Sequence, residues 1–194
     1  MCIINRMYHF IPTITTISEI VSSTNILSKI VDMIGFYGPF IIATNTIYSL
    51  WSQTMYLRGY LVLFVSNSII NKVLKQLTRE PRPKGGESIV DEHYNGADIY
   101  GMPSGHAQSV WVSSLFLYLV NGSVGIFLFH MFLIILTLYQ RWKYKRHTTE
   151  QLLVGSFVGV IIAVLYYHIL TKFITGNIDS DALDTSDIRN IMSL

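Results

Sequence analysis

Charged residues are scarce in this sequence and cysteine is almost absent. Only 13% of the 194 residues are charged whereas 51% are hydrophobic, and soluble domains usually carry about 25% charged residues. The composition therefore predicts that a lipid bilayer surrounds much of the chain. The single cysteine, Cys2, excludes an internal disulfide and any cysteine-based metal cluster. A net charge of +2 with no long basic run argues against a nucleic-acid partner.

Two further motifs are missing. The chain has no G-x-x-x-x-G-K phosphate loop and no G-x-G-x-x-G turn, which disfavours nucleotide-dependent chemistry. Its first residues lack an uninterrupted apolar run, because Pro12 and Glu19 break it. We therefore expect no cleaved signal peptide and predict an interfacial segment at the N-terminus.

Apolar segments dominate the remainder of the chain. A membrane-spanning helix needs about 20 mostly apolar residues, and five segments approach that length: 30–50, 56–74, 107–121, 123–140 and 151–171. The sequence predicts an all-α polytopic membrane bundle with five spans. Residues 13–29 are predicted as a possible sixth helix, lying in the membrane interface.

Three regions follow from this pattern. Residues 1–29 form the N-terminal amphipathic or interfacial segment, 30–175 form the membrane domain, and 176–194 form a polar, flexible tail. If the spans alternate, the loops 75–104 and 141–150 lie on the same side of the membrane, because two spans separate them. Three polar motifs in these loops would then meet at one surface.

The first motif places Lys75 seven residues before Arg82, which Pro83 follows. A lysine and an arginine at a helix end suit a phosphoryl group, since arginine offers a planar fork of donors and lysine a mobile charge. The alternative is that both are basic residues snorkelling at the end of a span.

The second motif is Pro103-Ser104-Gly105-His106, directly before an apolar segment. Ser104 is a typical N-cap, so a helix is predicted from Gly105 to Val120. The glycine and the serine hydroxyl suit an anion at a helix N-terminus, and His106 can protonate a leaving oxygen. A cap beside an interfacial histidine is the simpler alternative.

The third motif contains Arg141, His147 and Gln151, and the last two lie four residues apart. His147 and Gln151 would therefore share a helix face, although the basic residues around them also fit a juxtamembrane anchor. Only the combination of motifs separates these interpretations. Two histidines, two arginines and a lysine on one face can transfer a phosphoryl group without a metal.

No metal site or cofactor is predicted. Asp91, Glu92 and His93 are the nearest set of metal-ligand types. Their position in a polar loop favours a solvated surface instead.

The three motifs resemble the signatures K-x6-R-P, P-S-G-H and S-R-x5-H-x3-D of the type 2 phosphatidic acid phosphatase (PAP2) superfamily, in the same order. The resemblance covers about residues 60 to 160. It implies that His147 is the nucleophile, forming a phosphohistidine, and that His106 is the general acid. It also implies that the phosphate is held by five residues: Lys75, Arg82, Ser104, Gly105 and Arg141.

Two positions depart from the signatures, because Gln140 replaces a serine and Gln151 replaces the aspartate that would orient the nucleophile. An amide accepts a hydrogen bond from His147 but does not stabilise an imidazolium as a carboxylate does. Either catalysis is slower or Glu150 supplies the charge. H-T-x-x-Q at this point is similar to the dolichyldiphosphatase branch, which implies a polyprenyl diphosphate substrate in the endoplasmic reticulum.

Two alternatives stay open. A phosphatase for phosphatidate or related lipid phosphates would use the same residues, and a catalytically impaired membrane scaffold would explain Gln140 and Gln151. The side of the membrane is also open. Most lysines and arginines lie on the motif side, which favours the cytoplasm, whereas the dolichyldiphosphatase resemblance implies the lumen. The predicted partners are a lipid phosphate or diphosphate and the bilayer.

Overall fold

The computed structural model describes residues 14–87 and 95–191, with side chains for 26–87 and 95–176. Within these ranges all regular secondary structure is helical apart from an isolated β-bridge between Pro81 and Tyr100. The five α-helices are α1 (Ile14–Ser49), α2 (Thr54–Thr78), α3 (Gly105–Asn121), α4 (Val124–Lys143) and α5 (Thr149–Ile191). A short 3-10 helix, Gly96–Ile99, precedes α3. The all-α prediction is confirmed for the described residues.

Each of the five predicted apolar segments lies on one of these helices, but their suitability as membrane spans differs. In the part with described side chains, three helical stretches are long and apolar enough to cross a bilayer: Ile26–Ser49, Val124–Lys143 and Thr149–Gly176. Helix α3 has only 17 residues, a rise of about 26 Å. Helix α2 carries several buried polar residues, which lower its hydropathy.

Both ends of the helical bundle differ from the sequence prediction. Helix α1 runs without interruption from Ile14 to Ser49, so residues 14–29 extend the first predicted span instead of forming a separate sixth helix. Helix α5 continues to Ile191, where the sequence predicts a flexible tail. No proline, and after Gly176 no glycine, interrupts that backbone. Cys2 and the rest of the predicted interfacial segment before residue 14 lie outside the described residues.

Helix α3 lies at the centre of the bundle and contacts each of the other four helices. One apolar cluster joins α3 to α2 and α5 through Leu63, Phe116 and Ala163. A second joins it to α1 and α4 through Ile42 and Leu133. The central position of α3 places its N-terminus, the predicted site, among the ends of the neighbouring helices.

Two glycines bring α5 against the first turns of α3. A Cβ at Gly155 would lie 2.6 Å from the Ser104 carbonyl oxygen, and one at Gly159 would lie 2.5 Å from that of Gln108. Small residues four apart allow backbones to approach this closely. The contact fixes the start of α5, which carries Gln151, beside the N-cap of α3.

Candidate active site

The three predicted motifs meet at one end of the bundle. Ser104 donates its backbone N–H to the Gln151 carbonyl at 3.1 Å, which joins the second motif to the third. Arg82 reaches His147 at 3.1 Å, which joins the first to the third. The structure therefore brings together the residues that the sequence places in three separate segments.

The imidazole of His147 is held at both nitrogens. Its Nδ1 lies 2.9 Å from the Gly101 carbonyl oxygen and 3.2 Å from Oε1 of Gln151. Both are acceptors, so Nδ1 carries the proton and Nε2 keeps its lone pair. Arg82 Nη1 donates to Nε2 at 3.1 Å. His147 therefore presents an unprotonated Nε2 beside a guanidinium, the geometry that a nucleophile attacking a phosphate requires.

The surroundings of His147 keep it neutral. Its side chain is buried in the turn between α4 and α5, and this burial is the largest cause that lowers its pKa well below the ordinary value. Nearby positive charges lower the pKa further, from Arg82, Arg141, His106 and Lys75. A neutral imidazole retains its lone pair at physiological pH, which a nucleophile needs.

The amide of Gln151 has a structural reason to replace a carboxylate. Its Nε2 donates to Glu80 Oε1 at 2.8 Å and to the Pro81 carbonyl at 2.9 Å, while its Oε1 faces His147. A carboxylate here would face the negatively charged Glu80 and the Pro81 carbonyl, and it would have no proton to donate to either acceptor. Glu80 is therefore the carboxylate that contacts Gln151, which in turn contacts His147. Glu150, the alternative considered from sequence, is exposed.

Asp98 is a site residue that the sequence analysis missed. Its Oδ1 lies 2.7 Å from Lys75 Nζ, and Lys75 is only 3% exposed. The Asp98 carbonyl also accepts from Nε and Nη2 of Arg82, at 3.1 and 3.0 Å. Asp98 therefore binds two of the predicted phosphate ligands, Lys75 and Arg82. The only signal in the sequence is an acidic residue in the loop that leads into the P-S-G-H motif.

The start of α3 forms as predicted. Ser104 is buried and its Oγ accepts the Ala107 N–H at 3.5 Å, capping a helix that runs to Asn121. Gly105 lies against Asn71, since a Cβ there would be 3.1 Å from its Oδ1. A side chain at Gly105 would push into α2. This close approach aligns the P-S-G-H turn with the helix that carries Lys75.

His106 lies half-buried at the wall of a cavity of about 340 Å³. Its ring is tilted against Phe36, with centroids 5.8 Å apart. The same cavity is lined by Gly105 and Asp98 and, on its other side, by apolar groups of α1 and α2. His106 therefore faces space that a lipid group can occupy, beside the predicted phosphate ligands.

Arg141 is buried at the end of α4, with 2% of its surface exposed. Its guanidinium lies 5.6 Å from the centre of the Phe36 ring. The burial of Lys75 disfavours the snorkelling alternative for that residue, and the burial of Arg141 disfavours the juxtamembrane anchor for the third motif. Gln140, the other departure from the family signature, is buried against Gly35 of α1. A Cβ added at Gly35 would lie 2.9 Å from the Cβ of Gln140.

In the residues that the structure describes, no three histidine, cysteine, aspartate or glutamate side chains are grouped so as to hold a metal ion. The set Asp91, Glu92 and His93, which the sequence predicts to be solvated surface, lies outside those residues. Lysine, arginine and histidine side chains are buried in this region, and donors of this kind suit a phosphoryl group.

Fold and site together define a helical membrane protein with a cationic, histidine-containing pocket at one end of the bundle. The chain belongs to the PAP2 superfamily, whose sequence profile matches residues 56–175. The resemblance inferred from the motifs is thereby confirmed.

Individual relatives share part of the sequence. Dolichyldiphosphatase 1 of Rhinolophus ferrumequinum is 30% identical over 165 residues, which cover 77% of this chain and 63% of that protein. Lipid phosphate phosphatase epsilon 1, chloroplastic, of Arabidopsis thaliana is 31% identical over 111 residues, covering 53% and 37%. The chain thus spans less than two thirds of the length of these relatives.

One solved structure is similar in fold. It is a PAP2 type phosphatidylglycerolphosphate phosphatase from Bacillus subtilis, with a TM-score of 0.56 and 18% identity, covering 75% of this chain and 77% of that one. This similarity supports the helical architecture. At this level of identity it does not extend to substrate.

Proposed function

We propose that the chain is an integral-membrane lipid phosphatase that hydrolyses a polyprenyl diphosphate of the dolichyl type to the monophosphate and inorganic phosphate. The observation that carries the proposal is the fixed tautomer of His147. Gly101 and Gln151 accept from Nδ1, at 2.9 and 3.2 Å, and leave the lone pair of Nε2 beside Arg82.

In the first step His147 Nε2 attacks the terminal phosphorus. The bond from that phosphorus to the bridging oxygen breaks, and the bonding electrons stay on the lipid phosphate that leaves. His106, at the cavity wall, gives its proton to the leaving oxygen. A phosphohistidine forms on His147.

In the second step water attacks the phosphohistidine. His106 takes a proton from that water, inorganic phosphate leaves, and His147 returns to its neutral form. The donors of Lys75, Arg82 and Arg141 would stabilise the charge on the equatorial oxygens in both steps. The guanidinium of Arg82 already donates to His147 Nε2 and would exchange that hydrogen bond for one to a phosphate oxygen.

The dolichyl-type substrate is supported by Gln151 and by relatives named dolichyldiphosphatase 1. With this substrate the protein would work in the endoplasmic reticulum. Lipid monophosphates are the second candidate, favoured by the relatives from Arabidopsis thaliana named lipid phosphate phosphatase epsilon. A catalytically impaired scaffold is disfavoured by the contacts of the Gln151 amide. Its Nε2 donates to Glu80 and to the Pro81 carbonyl, and its Oε1 faces His147.

The test is phosphate release by detergent-purified protein with EDTA present. Dolichyl diphosphate, phosphatidate and phosphatidylglycerophosphate are compared side by side, with His147→Ala as the control. We expect dolichyl diphosphate to be hydrolysed fastest and the control to be inactive. A preference for another lipid would change the substrate assignment. Equal rates for wild type and His147→Ala would contradict the assignment of His147 as nucleophile.

The intermediate needs its own measurement. A rapid acid-free quench with substrate labelled in the terminal phosphate should transfer the label to the wild-type protein and none to His147→Ala. Turnover without labelled protein would contradict the covalent route and favour direct attack by water.

A further inference from the structure

The cavity beside His106 has a polar end and an apolar end. At the polar end it is lined by His106, Gly105 and Asp98, and at the apolar end by Pro39, Phe40 and Phe64. The leaving group must lie next to the general acid that protonates it. The cavity is therefore positioned for the part of the substrate that leaves, which for a lipid ends in a hydrocarbon chain.

One cationic side chain lines this cavity without belonging to the PAP2 motifs. Lys72 lies three residues before Lys75 on α2, so the two share one side of the helix. Their positions differ by about 4.5 Å along the helix axis. Because α2 ends at the site, Lys72 lies deeper toward the bilayer than Lys75.

The surroundings of Lys72 distinguish it from Lys75. Lys75 is buried and paired with Asp98, whereas Lys72 is exposed. Within the part of the chain whose side chains are described, Lys72 makes no ion pair or hydrogen bond. Phe64 and Ser68 line the cavity at successive turns of α2 below it, so a chain that runs along α2 passes Lys72 before it reaches Lys75.

We propose that Lys72 binds the lipid-side phosphate of a diphosphate substrate and thereby distinguishes diphosphates from monophosphate esters. The inference rests on the proposed function. The terminal phosphate would lie among Lys75, Arg82 and Arg141, and the second phosphate would lie one helical turn deeper, between Lys72 and His106.

The chemistry of the leaving group explains why a second cation matters. When the bond between the terminal phosphorus and the bridging oxygen breaks, the electron pair stays with the lipid-side phosphate and adds to its charge. Lys72 would stabilise that charge as it develops, while His106 supplies the proton. A monophosphate ester leaves as an alcohol, which has no second phosphate for Lys72 to bind.

The first test measures binding without any lipid. Inorganic pyrophosphate and inorganic phosphate are titrated into the detergent-purified full chain by calorimetry, comparing wild type with Lys72→Met. We expect Lys72→Met to weaken pyrophosphate binding by roughly tenfold, as for loss of a charge-assisted hydrogen bond. Phosphate binding should change by less than about twofold, since Lys72 lies outside the terminal-phosphate ligands.

The controls are Lys72→Arg, which keeps the charge and should restore most of the pyrophosphate affinity, and Lys84→Met. Lys84 is an exposed lysine in the loop after α2, so its removal changes net charge equally without touching the cavity. Equal weakening of both anions by Lys72→Met, or no weakening of either, would overturn the proposal.

The second test uses turnover. Lys72→Met should lower kcat/KM for dolichyl diphosphate by roughly tenfold and leave phosphatidate within about twofold. A parallel loss with both lipids would show that Lys72 serves only the membrane surface. If wild type releases no phosphate from dolichyl diphosphate, the proposed function fails, and the pyrophosphate titration still decides the role of Lys72.

Discussion

The interface between α2 and α3 is polar near the site and apolar away from it. In the half nearer the site, Gln108 accepts from Asn71 at 2.8 Å and donates to Asn67 Oδ1 at 2.7 Å. In the far half, Tyr60 stacks on Phe116 with ring centroids 5.8 Å apart. Hydrogen bonds are directional and apolar contacts are not. We therefore expect the polar half to fix the geometry of the site and the apolar half to contribute more to stability.

We expect His147 to separate activity from stability most clearly. His147→Asn keeps an N–H that can reach the Gly101 carbonyl but removes the proposed nucleophile. We expect at least about a thousandfold loss of phosphate release with little change in the thermal midpoint, measured by differential scanning fluorimetry. Retained turnover would contradict the assignment of His147. His106→Ala should lower turnover in the same way.

The apolar half should show the opposite pattern. Phe116→Ala removes a fully buried ring and should lower the free energy of unfolding by about 3 to 5 kcal/mol. At temperatures where the variant stays folded, kcat should remain within about twofold of wild type, because the ring touches no site residue. A large loss of kcat in folded protein would show that the two halves are coupled.

The amide at position 151 gives a sharper test within the polar half. Gln151→Asp restores the carboxylate of the wider family but places it against Glu80 and the Pro81 carbonyl, the two acceptors that Gln151 now satisfies. We expect turnover to fall by at least about tenfold. The double variant Gln151→Asp with Glu80→Gln removes the clash and should recover part of the rate. A rise in rate for the single variant would contradict this account.

The hydrogen bonds that Gln108 makes with Asn67 and Asn71 should affect both the rate and the stability. Gln108→Leu has similar size but leaves Asn67 and Asn71 without their shared partner, which costs about 1 to 3 kcal/mol. We expect a roughly tenfold loss of kcat as the P-S-G-H turn loses its alignment. Ser113→Ala, which breaks the Tyr60–Ser113 contact of 2.7 Å in the far half, is the matched control and should leave kcat unchanged.

The smallest effect concerns pH. The pKa of His147 is lowered in the folded protein, whereas in the unfolded chain it stays near the ordinary value of about 6.5. The unfolded chain therefore binds more protons as the pH falls below that value, and the folded state loses stability. Between about pH 6.5 and pH 5, wild type should lose more thermal stability than His147→Asn. Parallel losses would contradict the pKa direction.

The sequence predicted which segments meet better than it predicted the limits of the helices. The alternation of spans predicted that the three motifs lie on one face, and the contacts of Arg82 with His147 and of Ser104 with Gln151 join them there. Asp98 could not be predicted, since a single acidic residue in a long loop carries no spacing signal. The partner of Gln151 was also missed. Glu80 is 71 residues away in the sequence, and only the folded bundle brings the two together.

Helix limits depend on weaker signals. The N-cap of α3 was predicted because Ser104 follows a proline and precedes an apolar run. The extension of α5 to Ile191 was not, because a polar sequence without glycine or proline can be either helix or coil. Residues 13–29 were predicted as a possible separate helix, and their continuity with the first span was missed although no glycine or proline lies between residues 14 and 34.

The close contact at Gly155 and Gly159 determines which parts of the bundle can separate. Ser104, the N-cap of α3, and Gln151 of α5 lie where the backbones of the two helices touch, so we expect this contact to open last. The cavity beside His106 is bounded on its other side by α1 and α2. If the substrate is a lipid as proposed, we expect it to enter this cavity between α1 and α2, on the side away from α5.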